Sequence, residues 1–388
     1  MKTVIIRAPL LSISGYGVHS RQIFRWLLDQ PVKTIVQIVP WGNTSWMINP
    51  DMEGGLAGEI MQRSQSPETT PNPDISIQVQ LPNEWDPNLA KINIGVSAWV
   101  ETDRCNPEWI AAANKMTEIV VPSEFTKQVI LNTGSVTVPI HVIPEAFIEQ
   151  VSKETLPEVS LELDTSFNFL LVGQITGNNP ETDRKNTMYA LKWLCETFKD
   201  DPQVGVIIKT NSARSTSIDR MHTRKMLVQA ISQIRTGEYP KIHFLHGELS
   251  SDEMASLYRH PTVKAFVALT RGEGWGLPIL EAAASGLPVI ATNWSGHLDF
   301  LNHGRFIPVS YALTTIPDSK VDNKIFVPGA KWANPDENDA KEKLHKFRKK
   351  PDIPMQWANE LKKKLLVSFS QSAISNVYTE KLGHLMTC

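Results

Sequence analysis

Short apolar runs that alternate with helical patterns along the whole chain restrict its fold more than any other feature. They begin at Thr3 (TVIIRAP), Thr34 (TIVQIVP), Ile75 (ISIQVQ), Ile92 (INIGVSA), Glu118 (EIVVP) and Ile140 (IHVIP). A second series begins at Phe167 (FNFLLVG), Val204 (VGVIIKT), Lys241 (KIHFLH), Lys264 (KAFVAL) and Leu287 (LPVIAT). Near-continuous Val, Ile and Leu suits strands buried on both faces, as in parallel sheets. The helical stretches between them supply the crossovers that parallel pairing requires. The expectation is an α/β protein, and 388 residues are too many for one compact core. Two domains follow.

Polar residues punctuate the pattern. Ser123 is placed to cap SEFTKQVIL, Ser250 with Glu253 to form a capping box for a helix through Tyr258, and Ser295 to cap SGHLDFL. The polar stretch Glu149–Thr165 reads as a linker, and Ser64–Asp74, rich in Pro, Ser and Thr, as a surface loop. A final amphipathic helix is expected from Ser370 to about Leu385.

Chemistry concentrates in Gly272–Pro288, GEGWGLPILEAAASGLP. It sets one carboxylate, Glu273, in a glycine-rich turn and a second, Glu281, in a helix expected to start at Pro278. Proline suits a first helical turn because its missing N–H would be unpaired there anyway. Amides near Leu277, Ile279 and Leu280 are then expected to face an anion, phosphate above all. A phosphate seat flanked by two hydroxyl-accepting carboxylates matches the chemistry of a nucleotide sugar. Elsewhere, Gly15 and Gly17 lie between the first strand and SRQIFRWLL, where a glycine turn lets backbone approach a phosphate.

Composition narrows the classes. The net charge of −2 offers no global field for nucleic acid, so that partner is not expected. Basic residues gather at Lys341, Lys343, Lys346, Arg348, Lys349 and Lys350, then at Lys362–Lys364. Such a tract is ordinarily a solvated helix face; the alternative is peripheral contact with the inner face of a membrane. No apolar run approaches the ~20 residues that span a bilayer. MKTVIIRAP reads as a strand, not a signal peptide. Three scattered cysteines, Cys105, Cys195 and Cys388, give neither a disulfide framework nor a zinc site, and suit a reducing cytoplasm. His243, His246 and His297 have no carboxylates at ligand spacing and no D-x-D accompanies them, so no metal or other cofactor is expected.

The spacing Glu273-x7-Glu281, inside EGWGLPILEAAASGLPVIATNWSG, resembles the donor site of retaining glycosyltransferases of family 4. Resemblance extends over most of the chain, strongest from Lys241 to Leu301 and weakest from Trp41 to Asp74. It implies the GT-B fold: two Rossmann-like domains facing a central cleft, with the C-terminal helix crossing back to the first. Residues 1–160, with helix 370–388, would form the acceptor domain, and 166–365 the nucleotide-sugar domain. The implied reaction moves a hexose from a UDP- or GDP-sugar to a hydroxyl acceptor, a glycan, lipid-linked or polysaccharide precursor, with retention and without metal.

The resemblance also assigns roles. Glu273 would hold the sugar and Glu281 the ribose. Gly15, Gly17, Gly173, Gly274, Trp275, Gly276 and Leu277 would line the donor. FLLVGQITGNNPETDRKN corresponds to the region that usually supplies an Arg after the strand glycine and a Lys before the helix. Lys185 fits the second, but Gln174 stands at the first, and Arg184 is the candidate to replace the missing charge. Asn186 is expected to cap the next helix. The loop Gly247, Glu248, Leu249 would hold the base, and Lys209 and Thr210, at another strand end, are further cleft candidates. In GVSAWVETDRCNPEW, Glu101 or Asp103 would meet the sugar or the acceptor. Three other readings share these residues: a nucleotide-sugar epimerase, a glycosyltransferase acting on modified DNA bases, and an inactive sugar-binding homologue.

Overall fold

The structure, a computed structural model, describes residues 1–65, 72–159, 161–176, 179–235 and 237–387. The expected loop Ser64–Asp74 therefore lies partly outside the described residues, as does Cys388. The chain divides into two compact units. Unit 1 holds Met1–Ala146, Asn323–Val327 and the segment from Gln371, and unit 2 holds Phe147–Asp322 and Pro328–Ser370. The division falls at Ala146/Phe147, so the stretch read as a linker belongs to unit 2.

Unit 1 is built on β1 (Thr3–Ala8), β2 (Lys33–Ile38), β3 (Ile75–Val79), β4 (Ile92–Val96), β5 (Glu118–Val121) and β6 (Ile140–Val142). They pair in the order β2-β1-β3-β4-β5-β6, all parallel. Helices α1 (Gly15–Leu28), α2 (Leu56–Arg63), α3 (Pro107–Ala113) and α4 (Glu124–Thr133) make the connections. Ser123 caps α4 as expected, accepting from the Thr126 amide. Central β3 is buried throughout, so its polar members must find partners. Ser76 Oγ donates to Asn93 Oδ1 at 2.7 Å, and Gln78 Nε2 to Asp86 O at 2.7 Å.

Unit 2 repeats the plan with β7 (Phe167–Val172), β8 (Val204–Lys209), β9 (Lys241–Leu245), β10 (Val263–Ala268), β11 (Val289–Thr292) and β12 (Ile307–Val309). Their order is β12-β11-β10-β7-β8-β9. The helices are α5 (Thr187–Thr197), α6 (Ser217–Ile234), α7 (Ser251–Tyr258), α8 (Leu277–Ala284), α9 (Leu298–Leu301), α10 (Glu337–Lys349) and α11 (Asp352–Ser368). The capping box of Ser250 and Glu253 is present. In the core between the sheet, α5 and α10, Phe169 stacks on Phe198 and meets Phe347 edge to face.

All eleven sequence runs are strands. Strand β12 and an antiparallel hairpin, β13 (Tyr311–Thr315) with β14 (Lys331–Pro335), were not among them. Between the hairpin strands, residues 323–327 belong to unit 1. There Asn106 Nδ2 donates to the carbonyls of Asn323 and Lys324, and Ile325 and Phe326 pack on the Trp85–Trp99–Trp109 cluster.

The last helix, α12 (Gln371–Met386), is also part of unit 1. Trp26 stacks on Tyr378 and its indole N–H donates to Thr379 Oγ1 at 3.0 Å. His19 Nε2 meets the Tyr378 hydroxyl at 3.1 Å in a fully buried contact. This is the GT-B arrangement: two parallel α/β domains with the C-terminal helix returned to the first.

Candidate functional site

In open parallel sheets, ligands bind beyond the C-terminal strand ends where strand order reverses. In unit 2 that point lies between β7 and β10. The segments leaving those two strands carry Gly173, Arg184 and Lys185 on one side and Arg271–Gly276 on the other. Glu273 is buried between them. Lys185 Nζ lies 2.7 and 2.9 Å from its two carboxylate oxygens, and Arg184 Nη1 lies 3.2 Å from Oε2. Burial alone would raise the Glu273 pKa, but the two cations outweigh it and hold the carboxyl at about 2. Arg184 also donates to Gly272 O at 2.5 Å. With Gly276 and Pro278, Gly173, Lys185 and Glu273 line one cavity of about 30 Å³.

The loop that presents the two cations is set by Asp183, a residue that no sequence motif marks. Its Oδ1 accepts from Thr176 N, Thr176 Oγ1 and Lys185 N, and Oδ2 from Thr187 N at 2.8 Å. Asn186 occupies the N-cap position of α5, as expected, but with left-handed dihedrals and no side-chain cap bond. Asp183 makes that bond in its place, its carboxylate reaching four residues forward to the Thr187 amide.

The Glu273 loop is braced from behind. Its amide donates to Ser295 Oγ at 2.9 Å, and Gly296 N donates to its carbonyl at 2.9 Å. A Cβ at Gly296 would lie 2.1 Å from Gly274 O, so only glycine fits. Ser295 thus buttresses this loop instead of capping α9, which begins after His297. His297 Nε2 donates to Thr292 O at 2.7 Å, and burial lowers its pKa, so it is a neutral packing residue.

Helix α8 starts one residue earlier than expected. Gly276 is its N-cap, with φ 101° that glycine alone tolerates easily, and Pro278 follows Leu277. The amides of Ile279 and Leu280 both donate to Gly276 O, so they do not face a ligand. Trp275 is also corrected: its indole is buried among Phe300 and Phe369, at 5.0 and 5.6 Å, as part of the core. Glu281 is buried too. It accepts from the Tyr258 hydroxyl at 3.0 Å, and burial pushes its carboxyl up to about 7, the hydroxyl only partly offsetting.

A second group gathers at the ends of β8 and β9. Lys209 Nζ donates to Gly247 O at 2.6 Å, and burial lowers its pKa. Gln174 Nε2 donates to Ser212 O at 2.9 Å, and His246 pairs with Asp219 at 2.7 Å. Glu248 is exposed and Leu249 partly so.

In unit 1, Gly15 and Gly17 are the first and third residues of α1, not a turn before it. Ser14 caps the helix by accepting from Gly17 N, and a Cβ at Gly17 would lie 1.9 Å from Ser12 O. Gly17 thus serves close packing, while Gly15 is exposed with open space beside it. Glu101 and Asp103 are partly exposed after β4.

The basic tract is a pair-laced helix face. Lys341 meets Glu196 and Glu337, Lys343 meets Asp339, Lys346 meets Glu342, and Arg348 meets Asp201. Among the described residues no helix is long and apolar enough to cross a membrane, and no group of three or more His, Cys, Asp or Glu could hold a metal ion.

Residues 224–364 match the family model of glycosyl transferases group 1. The sucrose synthase of Melioribacter roseus is 34% identical over 98 residues, covering 22% of this chain and 12% of that protein's length. Among solved structures, sucrose-phosphate synthase from Thermosynechococcus elongatus aligns with TM-score 0.67 at 13% identity, over 99% of each chain. Anabaena HepE in complex with UDP-glucose aligns with TM-score 0.66 at 13% identity, over 99% of this chain and 100% of that one. Likeness at such identity fixes the fold, and the family match falls on the segment holding both Glu273 and Glu281. The chain therefore has the GT-B fold, and its residues 224–364 match the family model of glycosyl transferases group 1.

Proposed function

We propose that this protein is a retaining glycosyltransferase that moves a hexose from a nucleoside-diphosphate sugar to a hydroxyl acceptor. The observation that carries the reading is the buried Glu273 carboxylate, clamped by Lys185 and Arg184 at the switch point of the unit 2 sheet. UDP-glucose in the HepE structure, and UDP-2-fluoro glucose in an E. coli trehalose-6-phosphate structure aligned at TM-score 0.62 and 9% identity, support a UDP-sugar donor.

An ionised carboxylate offers about four acceptor positions. Lys185 and Arg184 take three contacts with Glu273, which leaves room for a sugar hydroxyl. The diphosphate lies against Lys185 and the Gly173 backbone. The nucleoside end lies toward Lys209, Gly247, Glu248 and Leu249, with Glu281 accepting from the ribose. The bond from anomeric carbon to phosphate oxygen breaks, and its electron pair stays on the diphosphate. Lys185 stabilises the growing charge, which is electrostatic catalysis. The acceptor oxygen bonds to the same face of the carbon, and its proton passes to the departing phosphate oxygen. No protein base and no divalent ion enter this scheme. Arg184, bound to the Gly272 carbonyl, acts as the residue that positions Glu273 rather than as a free substitute for the charge absent at Gln174.

Incubation with UDP- and GDP-sugars, with and without saccharide acceptors, tests this reading through nucleoside-diphosphate release. Release that depends on an acceptor and survives excess chelator is expected. Donor conversion without any acceptor would indicate an epimerase, and binding without turnover an inactive homologue; either overturns the proposal.

A further inference from the structure

The loop after β2 carries a tryptophan that neither the family match nor the donor chemistry uses. Trp41 is partly exposed and stacks on Tyr16, with ring centroids 3.9 Å apart and planes inclined by 23°. Several bonds hold it there. Ser12 Oγ and Thr44 Oγ1 lie 2.8 Å apart, Thr44 Oγ1 donates to Trp41 O, Ile13 N to Ser45 O, and Met47 N to Leu11 O. The loops after β1 and β2 are thereby stitched into one rigid shelf. Tyr16 is fixed from below: its hydroxyl meets Ser97 Oγ at 2.8 Å and accepts from Ala98 N at 3.0 Å. Burial raises the Tyr16 pKa, and Glu101 stands three residues beyond Ala98 on the segment that holds that hydroxyl. The shelf stands at the C-terminal ends of β1 and β2, beside the strand-order reversal between β1 and β3, where open sheets bind ligands.

We infer that Trp41, braced on Tyr16, is the platform for a saccharide acceptor in unit 1, with Glu101 receiving its hydroxyls. The inference rests on the glycosyltransferase reading only in the word acceptor. A pyranose presents one face of polarised C–H groups and an equatorial rim of hydroxyls. An indole face carries the negative side of the ring quadrupole and attracts such hydrogens, while carboxylates accept the rim hydroxyls. The rest of the setting is polar: Ser97 meets the Tyr16 hydroxyl and Thr44 donates to the Trp41 carbonyl. A lipid chain needs a larger continuous apolar patch. A nucleic acid would bring phosphates toward Glu101, which repels them. A neutral sugar is the ligand that this combination of one flat aromatic and a carboxylate on the adjoining segment favours.

The experiment is saturation-transfer NMR on the full chain with glucose, mannose, galactose, N-acetylglucosamine, maltose and lactose. Calorimetry with UDP-glucose and GDP-mannose runs alongside it. At least one saccharide is expected to receive saturation on the C–H protons of one ring face. Trp41→Ala should weaken that saccharide about tenfold or more, roughly the loss of one good aromatic contact. Trp41→Phe, which keeps a stacking face, should recover most of it, and both variants should leave nucleotide-sugar affinity and melting temperature near the parent values. Glu101→Gln should weaken the saccharide without moving the donor. The inference fails if no saccharide of the panel binds, or if Trp41→Ala binds it as well as the parent does. A saccharide that docks on Trp41 while no nucleotide sugar binds would defeat the glycosyltransferase reading and leave the platform standing. Donor turnover that Trp41→Ala and Glu101→Gln leave unchanged with every acceptor would do the reverse.

Discussion

At the residue scale, two carboxylates eight positions apart are pushed in opposite directions by their surroundings. Glu273 stays ionised because Lys185 and Arg184 offset its burial. Glu281 is buried with the Tyr258 phenol as its hydrogen-bond partner, and burial raises its carboxyl to about 7. Ribose hydroxyls donate to the ionised form, so donor affinity should grow as pH rises through 7. Calorimetry at pH 6 and pH 8 should show this for the parent, whereas Glu281→Gln should be flat and about tenfold weaker at pH 8. Identical pH profiles would refute the ribose assignment. Lys185→Ala should lower kcat by about 10²-fold, with a smaller change in donor affinity, because charge on the leaving diphosphate grows in the transition state. Loss of donor affinity with unchanged kcat would show that Lys185 only binds. The carboxylate spacing was legible in the sequence because both residues sit in one short segment. Asp183 was not, since its importance lies in four bonds made within a loop of unremarkable polar composition. Tyr258 was not, since only folding brings it to Glu281 from another helix.

At the element scale, the donor loop depends on glycines that admit backbone where a methyl would collide. Gly296 is the sharpest case beside the site, with the Gly274 carbonyl 2.1 Å from where a Cβ would stand. Backbone on both sides cannot step aside as a flexible side chain would. Gly296→Ala should therefore cost about 1–3 kcal/mol of stability and displace Glu273, whose amide and carbonyl are fixed by the Ser295–Gly296 pair. Chemical denaturation and donor titration on one variant check both effects; unchanged donor affinity would show that the brace does not position the site. Strand runs were readable because Val and Ile dominate both faces of buried parallel strands. The hairpin β13–β14 escaped because its first strand, YALTT, is largely exposed and polar and has no apolar run to announce it. Helix starts were read to within a residue, but not their bonding. Composition cannot say that Gly276 O captures the Ile279 and Leu280 amides, or that Ser295 turns away from its helix.

At the scale of the whole molecule, the two units share one plan, and each places its candidate residues where its strand order reverses. The two buried carboxylates give unit 2 a distinct pH signature. Glu273, depressed from its ordinary value, contributes stability that is present above pH 4.5 and is lost as pH falls toward 2. Glu281, raised, holds a proton in the folded state that the unfolded chain has released, so stability declines as pH climbs from 4.5 to 7. The melting temperature of the parent should fall over that second window, and Glu281→Gln should remove most of the fall. Parallel melting curves for parent and variant would contradict the burial account of Glu281.

Product stereochemistry tests the central claim most directly. With a UDP- or GDP-hexose that is turned over, proton NMR of the first-formed glycoside reports the configuration at its anomeric carbon. An α-linked product from an α-linked donor is expected, since the acceptor attacks from the diphosphate's side while Glu273 holds the sugar. A β-linked product would mean attack from the opposite face by a base-activated acceptor, and would contradict front-face attack on the sugar held by Glu273 and the departing phosphate oxygen's role in taking the proton.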